Sequence, residues 1–212
     1  MRLPHDDPSL NKIRKPTVND PLRILVSGCL AGRPCGVNAT DYGLGDPLRQ
    51  LLALATVRVV SFCPEEFAIG TPRTMPDIHG GDGHDVLDGK AVVMDEHGTD
   101  LTAKMILGAK AMLASALDHR AELALMTDMS AACGSQVISD RCRLVPVRSF
   151  TAGVGVATAL LLRQGIPVLS QRDYKTLGKL RALVDDTFRE EPGARDHHET
   201  DWYLEYFSRK AT

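Results

Sequence analysis

Cysteine is the residue type in this chain with the most chemistry open to it. Five occur, and three of them, Cys29, Cys63 and Cys133, stand at or just past the carboxyl end of an apolar run that reads as a strand, or in the loop that such a strand feeds. Their neighbours are polar or turn-forming: Ser27-Gly28 precedes Cys29, Pro64-Glu65 follows Cys63, and Ser130 and Gly134 bracket Cys133. Cysteines that merely fill a core rarely sit in such places. In an open parallel sheet the carboxyl ends of the strands gather around one crevice, so thiols far apart in sequence can meet there. Three thiolates with no obvious fourth ligand suit a zinc with an open position, or a cubane iron-sulfur cluster with one iron left free. Two alternatives stand beside these. Each thiol could be separately inert, or one could be a nucleophile paired with a histidine, for which His79 and His84 are the candidates. Cys35 lies near Cys29 in the same loop and could be a fourth ligand or a redox partner, and like Cys142 it matches no strand end.

The elements that must position these thiols follow from hydrophobic patterning. Ile24-Leu25-Val26 reads as a buried strand, residues 47–55 carry Leu48, Leu51, Leu52 and Leu54 in a short helical pattern, and Val57, Val59 and Val60 form a second strand, completing a β-α-β unit. Residues 71–89 hold Pro72, Pro76, Gly80, Gly81, Gly83 and Gly89, which predicts a long loop, and long loops in compact domains are usually functional. A short β-prone run at 91–94 follows. Residues 99–102 cap a helix reaching to about His119, with Met105, Ile106, Ala109, Met112, Leu113 and Ala116 on one stripe. Leu123, Leu125 and Met126 make another strand. A Gly- and Ala-rich helix over 151–163 leads through Gly165 into a last strand at Ile166, Val168 and Leu169. Strands alternating with helices predict an α/β fold, a mostly parallel sheet with helices on both faces in a three-layer, Rossmann-like arrangement.

The organisation expected is an irregular, proline-broken extension over 1–22, an α/β domain over 23–184, and a polar extension over 185–212. In that last segment Trp202, Tyr203, Tyr206 and Phe207 fall at near-helical spacing, as in a terminal helix docked on the core or on a second copy of the chain in a homodimer. His197 and His198, beside Asp196 and Glu199, read as a solvated loop in preference to a metal site. The 25 basic and 27 acidic residues give a net charge of -2, without the electrostatic footprint of a dedicated nucleic-acid binder. Lys12, Arg14, Lys15 and Arg23 are the only obvious basic cluster. No apolar run resembles a signal peptide or is long enough to cross a bilayer. A cytoplasmic location is therefore expected, where cysteines are read as ligands or nucleophiles before disulfides.

An ordered set of motifs resembles a known family. Ser27-Gly28-Cys29-Leu30-Ala31-Gly32, Cys63-Pro64-Glu65, Thr71-Pro72-Arg73, Gly80-Gly81-Asp82-Gly83 with Asp85-Val86-Leu87-Asp88-Gly89, residues 130–134, and residues 153–161 together look like the bacterial thiouracil desulfidases. The resemblance spans roughly 24–170. It implies an oxygen-sensitive 4Fe-4S cluster on the cysteines matching Cys29, Cys63 and Cys133, whose free iron takes the sulfur of a small thiolated base. It also implies two catalytic residues that are not ligands, Glu65 and Ser130. A carboxylate two residues from a ligand could activate water, and a hydroxyl could orient that water or relay its proton. Arg73, Asn38 and Asp82 are candidates for holding the ring or closing the long loop over it. The chain departs from its relatives where they commonly carry Arg-Tyr-Asp-Gly, here Gly36-Val37-Asn38-Ala39, and where Ser-Pro-Ser-Cys-Gly becomes Ser130-Ala131-Ala132-Cys133-Gly134. It also lacks the usual Gly-Gly after Glu65. Rival readings are desulfuration of thiouridine in tRNA, and a non-catalytic iron-sulfur or metal-binding module.

Overall fold

The computed structural model describes residues 13–208. In chain order these form β1 (Leu22–Ser27), α1 (Arg49–Leu52), β2 (Val57–Phe62), α2 (Pro64–Ala68), β3 (Asp77–His79), α3 (Gly83–Leu87), β4 (Val92–Met94), α4 (Thr102–Asp118), β5 (Leu123–Met126), β6 (Val137–Ser139), β7 (Phe150–Ala152), α5 (Val156–Arg163), β8 (Val168–Ser170), α6 (Tyr174–Val184) and α7 (Asp201–Ser208). The central sheet is fully parallel in the order β2-β1-β5-β8. Side chains alternate across a strand, and both faces of β1, β5 and β8 are apolar. Leu25, Ala124, Met126 and Val168 pack with Met105, Met112 and Leu161 of α4 and α5. Leu22, Ile24, Val26, Leu123, Leu125 and Leu169 pack with Leu51 of α1 and with Leu177, Leu180 and Val184 of α6. Helices therefore cover both faces, and the expected three-layer α/β arrangement holds.

The strand order places the site. From β1 the chain steps to β2 on one side and later to β5 on the other, so the winding reverses between β1 and β5, which opens a crevice at their carboxyl ends. The loops after β1, β2 and β5 carry Cys29, Cys63 and Cys133.

Four expectations need correction. Residues 71–89 are not one irregular loop. They hold β3, which pairs antiparallel with β4, and α3, closed by a capping box in which Asp82 accepts the Asp85 N–H and Asp85 accepts the Asp82 N–H. These elements are too short to show a period. The helix expected over 151–163 begins only at Val156, because Phe150–Ala152 pairs antiparallel with β6. The extension over 1–22 yields Leu22 to β1, and its residues 1–12 lie outside the described ones. Finally, His197 is buried, 3% exposed, instead of solvated. The aromatic tail does form a helix, α7, and it docks on its own chain: Phe150 meets Trp202 and Tyr206 edge-on at 5.7 Å. Among the described residues no helix is long and apolar enough to cross a membrane.

Candidate active site

The first two cysteine loops close on each other through a glycine. Gly28 donates its N–H to Phe62 O at 2.9 Å, and a Cβ there would sit 2.8 Å from Cys35 Sγ and 3.1 Å from Cys63 Cβ. Only the absence of a side chain lets the ends of β1 and β2 approach so closely. Cys63 is the N-cap of α2, its Sγ accepting the Glu66 N–H at 3.4 Å, with Pro64 at the first helical position, where no N–H is needed. This turn presents Glu65. Helix α4 presses it from behind at Gly108, where a Cβ would lie 2.2 Å from Pro64 O.

The third loop leaves β5 through Thr127, whose hydroxyl lies 3.0 Å from Cys29 Sγ. Met129 takes a left-handed conformation (φ 59°), and its carbonyl accepts Arg143 Nη1 at 2.7 Å, while Arg143 Nε donates to the buried Asp77 at 2.6 Å. Ser130 Oγ accepts the N–H groups of Ala132 (3.2 Å) and Cys133 (3.1 Å) and donates to Glu65 Oε1 at 3.1 Å. It is thus both a cap for the third cysteine's turn and a partner of the carboxylate. Gly155 closes this loop from outside, since a Cβ there would be 2.4 Å from Ala132 C.

Cys29, Cys35, Cys63, Cys133, Glu65 and Ser130 line one cavity of about 320 Å³. Arg73 lies at its wall with its side chain only 4% exposed. Its Nε and Nη2 both engage Glu65 Oε2, and Nη1 donates to Cys35 O (2.9 Å), Gly70 O (3.1 Å) and Thr71 Oγ1 (3.1 Å). The guanidinium therefore orients the carboxylate. The thiols differ. Cys29 is lowered to about 7, chiefly by a hydrogen bond from Cys35 and also by Thr127. Cys63 is lowered too, again chiefly by Cys35, with help from the Glu66 N–H and Arg73. Cys35 is raised because its single S–H is shared between those two sulfurs, and burial pushes Cys133 well up.

The expected ligands and both expected catalytic residues thus come together, joined by Cys35 and Arg73. Asn38 does not join them: it is exposed and accepts from Thr40 Oγ1 at 2.7 Å. Nor does Asp82, whose carboxylate caps α3. Cys142 and both candidate histidines also lie away from the cavity wall; His84 Nδ1 instead accepts from Arg163 Nε at 3.2 Å. A cysteine-histidine nucleophile is therefore not assembled among the described residues. The residues that reading the sequence did not reach are Thr127, Arg143 and Asp128, which support the third loop from three sides. Their sole signal was nearness to Ser130 or an unexplained charge.

A parallel three-layer α/β domain with a thiol-lined cavity at its topological switch point, and with an oriented carboxylate and hydroxyl beside the thiols, defines a class of protein built for sulfur or metal chemistry. The comparisons narrow that class. The profile of the 2-thiouracil desulfurase family matches residues 24–173, and the chain belongs to that family. The chain is 34% identical over 155 residues to YbbK of Bacillus subtilis (strain 168), an uncharacterized protein, covering 73% of this chain and 99% of that one. A solved structure of a [4Fe-4S]-dependent thiouracil desulfidase, TudS, is similar at 32% identity and a TM-score of 0.58, covering 77% of this chain and 99% of that one.

Proposed function

We propose that this chain removes sulfur from a thiolated pyrimidine such as thiouracil, with a 4Fe-4S cluster held by Cys29, Cys63 and Cys133. The reaction is C=S plus water giving C=O plus hydrogen sulfide, with no net oxidation or reduction. The observation that carries the reading is the convergence of three strand-end thiols and the Glu65–Ser130 pair on one cavity. The donor set fits the cofactor. The three cysteines line one cavity, and cysteine thiolates are the ligands that hold iron-sulfur clusters. Two of the three thiols are already shifted toward the thiolate that iron needs.

Bound there, the cluster supplies a soft iron without a protein ligand, which prefers the thiocarbonyl sulfur to ring oxygens and nitrogens and draws electron density from the carbon. The remaining work falls to side chains. Arg73 fixes one oxygen of Glu65, leaving Oε1 to Ser130. A water bound to Glu65 Oε1 can give that oxygen its proton as it attacks the carbon, while the Ser130 hydroxyl, whose lone pairs take the Ala132 and Cys133 N–H groups, holds the carboxylate in place. The proton held at Glu65 then goes to the departing sulfide, and the hydroxyl added to the carbon gives up its proton as the C=O bond forms, which supplies the second proton of hydrogen sulfide and restores the carboxylate. Leu44, Val37 and Met75 on the wall limit competing solvent.

A tRNA substrate is disfavoured by charge. Arg14 and Arg23 are paired with Glu122 and Asp20, and Lys15 with Asp186; Lys12 lies outside the described residues. The test is anaerobic reconstitution followed by incubation with 2-thiouracil, 4-thiouracil and thiolated tRNA. We expect brown protein with about four irons per chain and one sulfide per uracil formed, with rates on the free base insensitive to salt. Stoichiometric zinc in a colourless protein, or no sulfide from any of the three, would overturn the reading.

A further inference from the structure

We infer that His197, in the C-terminal segment outside the family-matched residues, is a positioning residue for the loop that carries Ser130 and Cys133. This rests on the proposed site but concerns a part of the chain that the family profile does not reach. The loop is moulded on the carboxylate of Asp128. Its Oδ1 accepts three backbone N–H groups, from Ser135 (2.9 Å), Gln136 (2.9 Å) and Val137 (3.0 Å). One oxygen thus turns the chain just past Cys133 back into β6. The other oxygen, Oδ2, meets His197 Nδ1 at 2.7 Å.

The Asp128 side chain is 0% exposed and that of His197 4%. A buried carboxylate without full hydrogen bonding is costly, so the histidine completes a requirement that the loop itself creates. Asp128 can only accept, so Nδ1 must donate. Nε2 is buried and has no hydrogen-bond partner among the described residues, so the ring's polar function is directed at Asp128.

A second stitch lies beside the first. The His197 N–H donates to Asp173 Oδ1 at 3.1 Å, and the same oxygen accepts Gln136 Nε2 at 2.5 Å. The ring is held flat against Trp202 of α7, with centroids 5.5 Å apart and planes at 9°. The tail is therefore fastened to the third-cysteine loop through two carboxylates, and α7 sets the orientation of the fastening ring.

The test compares His197→Asn with His197→Gln. The Asn amide nitrogen falls near the place of Nδ1, while the Gln amide reaches toward the place of Nε2. Two rates are read: alkylation of Cys133 in iron-free protein, followed by peptide mass, and loss of iron from reconstituted protein to a chelator. Cys133 is 6% exposed, so its alkylation reports opening of the loop. We expect the Gln variant to be faster in both by roughly tenfold or more, the range of a lost hydrogen bond to a charged group, and the Asn variant to stay near wild type. Should the Gln variant fail to fold, His197→Ala takes its place with the same expectation. Equal rates for Asn and Gln, whether both slow or both fast, would overturn the proposal by assigning the effect to packing alone. A wild type that takes up no iron would defeat the cluster reading, while the alkylation comparison would still decide the role of His197.

Discussion

The turn that presents Cys63 is held mainly by residues close to it in sequence, with Gly28, Cys35 and Gly108 closing on it from other elements. Pro64 starts its helix, the Glu66 N–H holds its sulfur, and Arg73 secures the neighbouring Glu65. Cys133 is fixed from afar: Gly155 closes over Ala132, Arg143 and Asp77 grip Met129, and His197 completes Asp128. The same cavity thus joins a mainly locally specified ligand to one specified by tertiary structure. The electrostatics differ too: a hydrogen bond from Cys35 chiefly lowers Cys63, with the Glu66 N–H and Arg73 helping, while burial raises Cys133. A local scaffold is more robust to change elsewhere; a distant one makes the third ligand the point at which remote substitutions act most on the site.

The largest effects should ignore this difference. Cys29→Ser, Cys63→Ser and Cys133→Ser should each abolish stable iron binding, because a hard oxygen replaces a soft sulfur, whereas Cys142→Ser should bind iron as wild type does. Iron analysis after anaerobic reconstitution checks this. Cys35→Ser is also expected to keep iron, since a hydroxyl can offer its one proton to Cys29 or Cys63 as the thiol does; loss of iron would make Cys35 a ligand.

Next in size is the buried pair beside Cys63. Arg73→Met strands Glu65 without its counter-charge and should cost about 3–5 kcal/mol in urea unfolding of the iron-free protein.

The two close-packed glycines then separate the halves of the site. Gly108→Ala and Gly155→Ala should each cost about 1–3 kcal/mol through overpacking. The first pushes on Pro64 and should lower turnover more than iron content. The second pushes on Ala132, beside Cys133, and should lower iron content first. Identical profiles for the two would erase the distinction between the Cys63 and Cys133 halves of the site.

The smallest effect is the pH dependence of thiol alkylation in the iron-free protein. A thiol lowered to about 7 is roughly half thiolate at pH 7. Cys29 should react faster than Cys133 there, should slow about fivefold by pH 6, and about tenfold for each further unit below.

The same division explains what could be read from the sequence. Strands β1 and β5 were legible because a strand buried on both faces is an unbroken apolar run, and their ends flagged Cys29 and Cys133. Glu65 and Ser130 were legible through their neighbouring cysteines and the family resemblance. The Glu65–Arg73 pair is not legible, because Gly70 and Pro72 lie between the two charges and no helical or strand period runs across that break. Asp82 stands as a candidate ring or loop contact in the sequence because an N-cap and a binding carboxylate look alike there; in the fold its carboxylate caps α3. β3 and α3 vanished into a Pro- and Gly-rich stretch. The end of β7 reads as the start of a helix because Thr151 and Ala152 lead straight into the Gly- and Ala-rich run of α5. His197 stood among charged residues that read as solvated, and only the fold shows the buried carboxylate that it serves.

The central claim is that one cavity divides its labour, the three cysteines holding the sulfur-binding group while Glu65, with Ser130, activates water. Glu65→Gln tests it most directly, in reconstituted protein titrated with thiouracil and then assayed for sulfide. The account predicts wild-type iron content and a wild-type spectral change on binding thiouracil, with turnover lower by roughly two to four orders of magnitude, the contribution of a positioned general base. Ser130→Ala should also keep its iron and slow turnover less. Full sulfide release by the Gln variant would contradict the account by moving water activation to other residues, and loss of its iron would contradict it by making Glu65 part of the cluster's support.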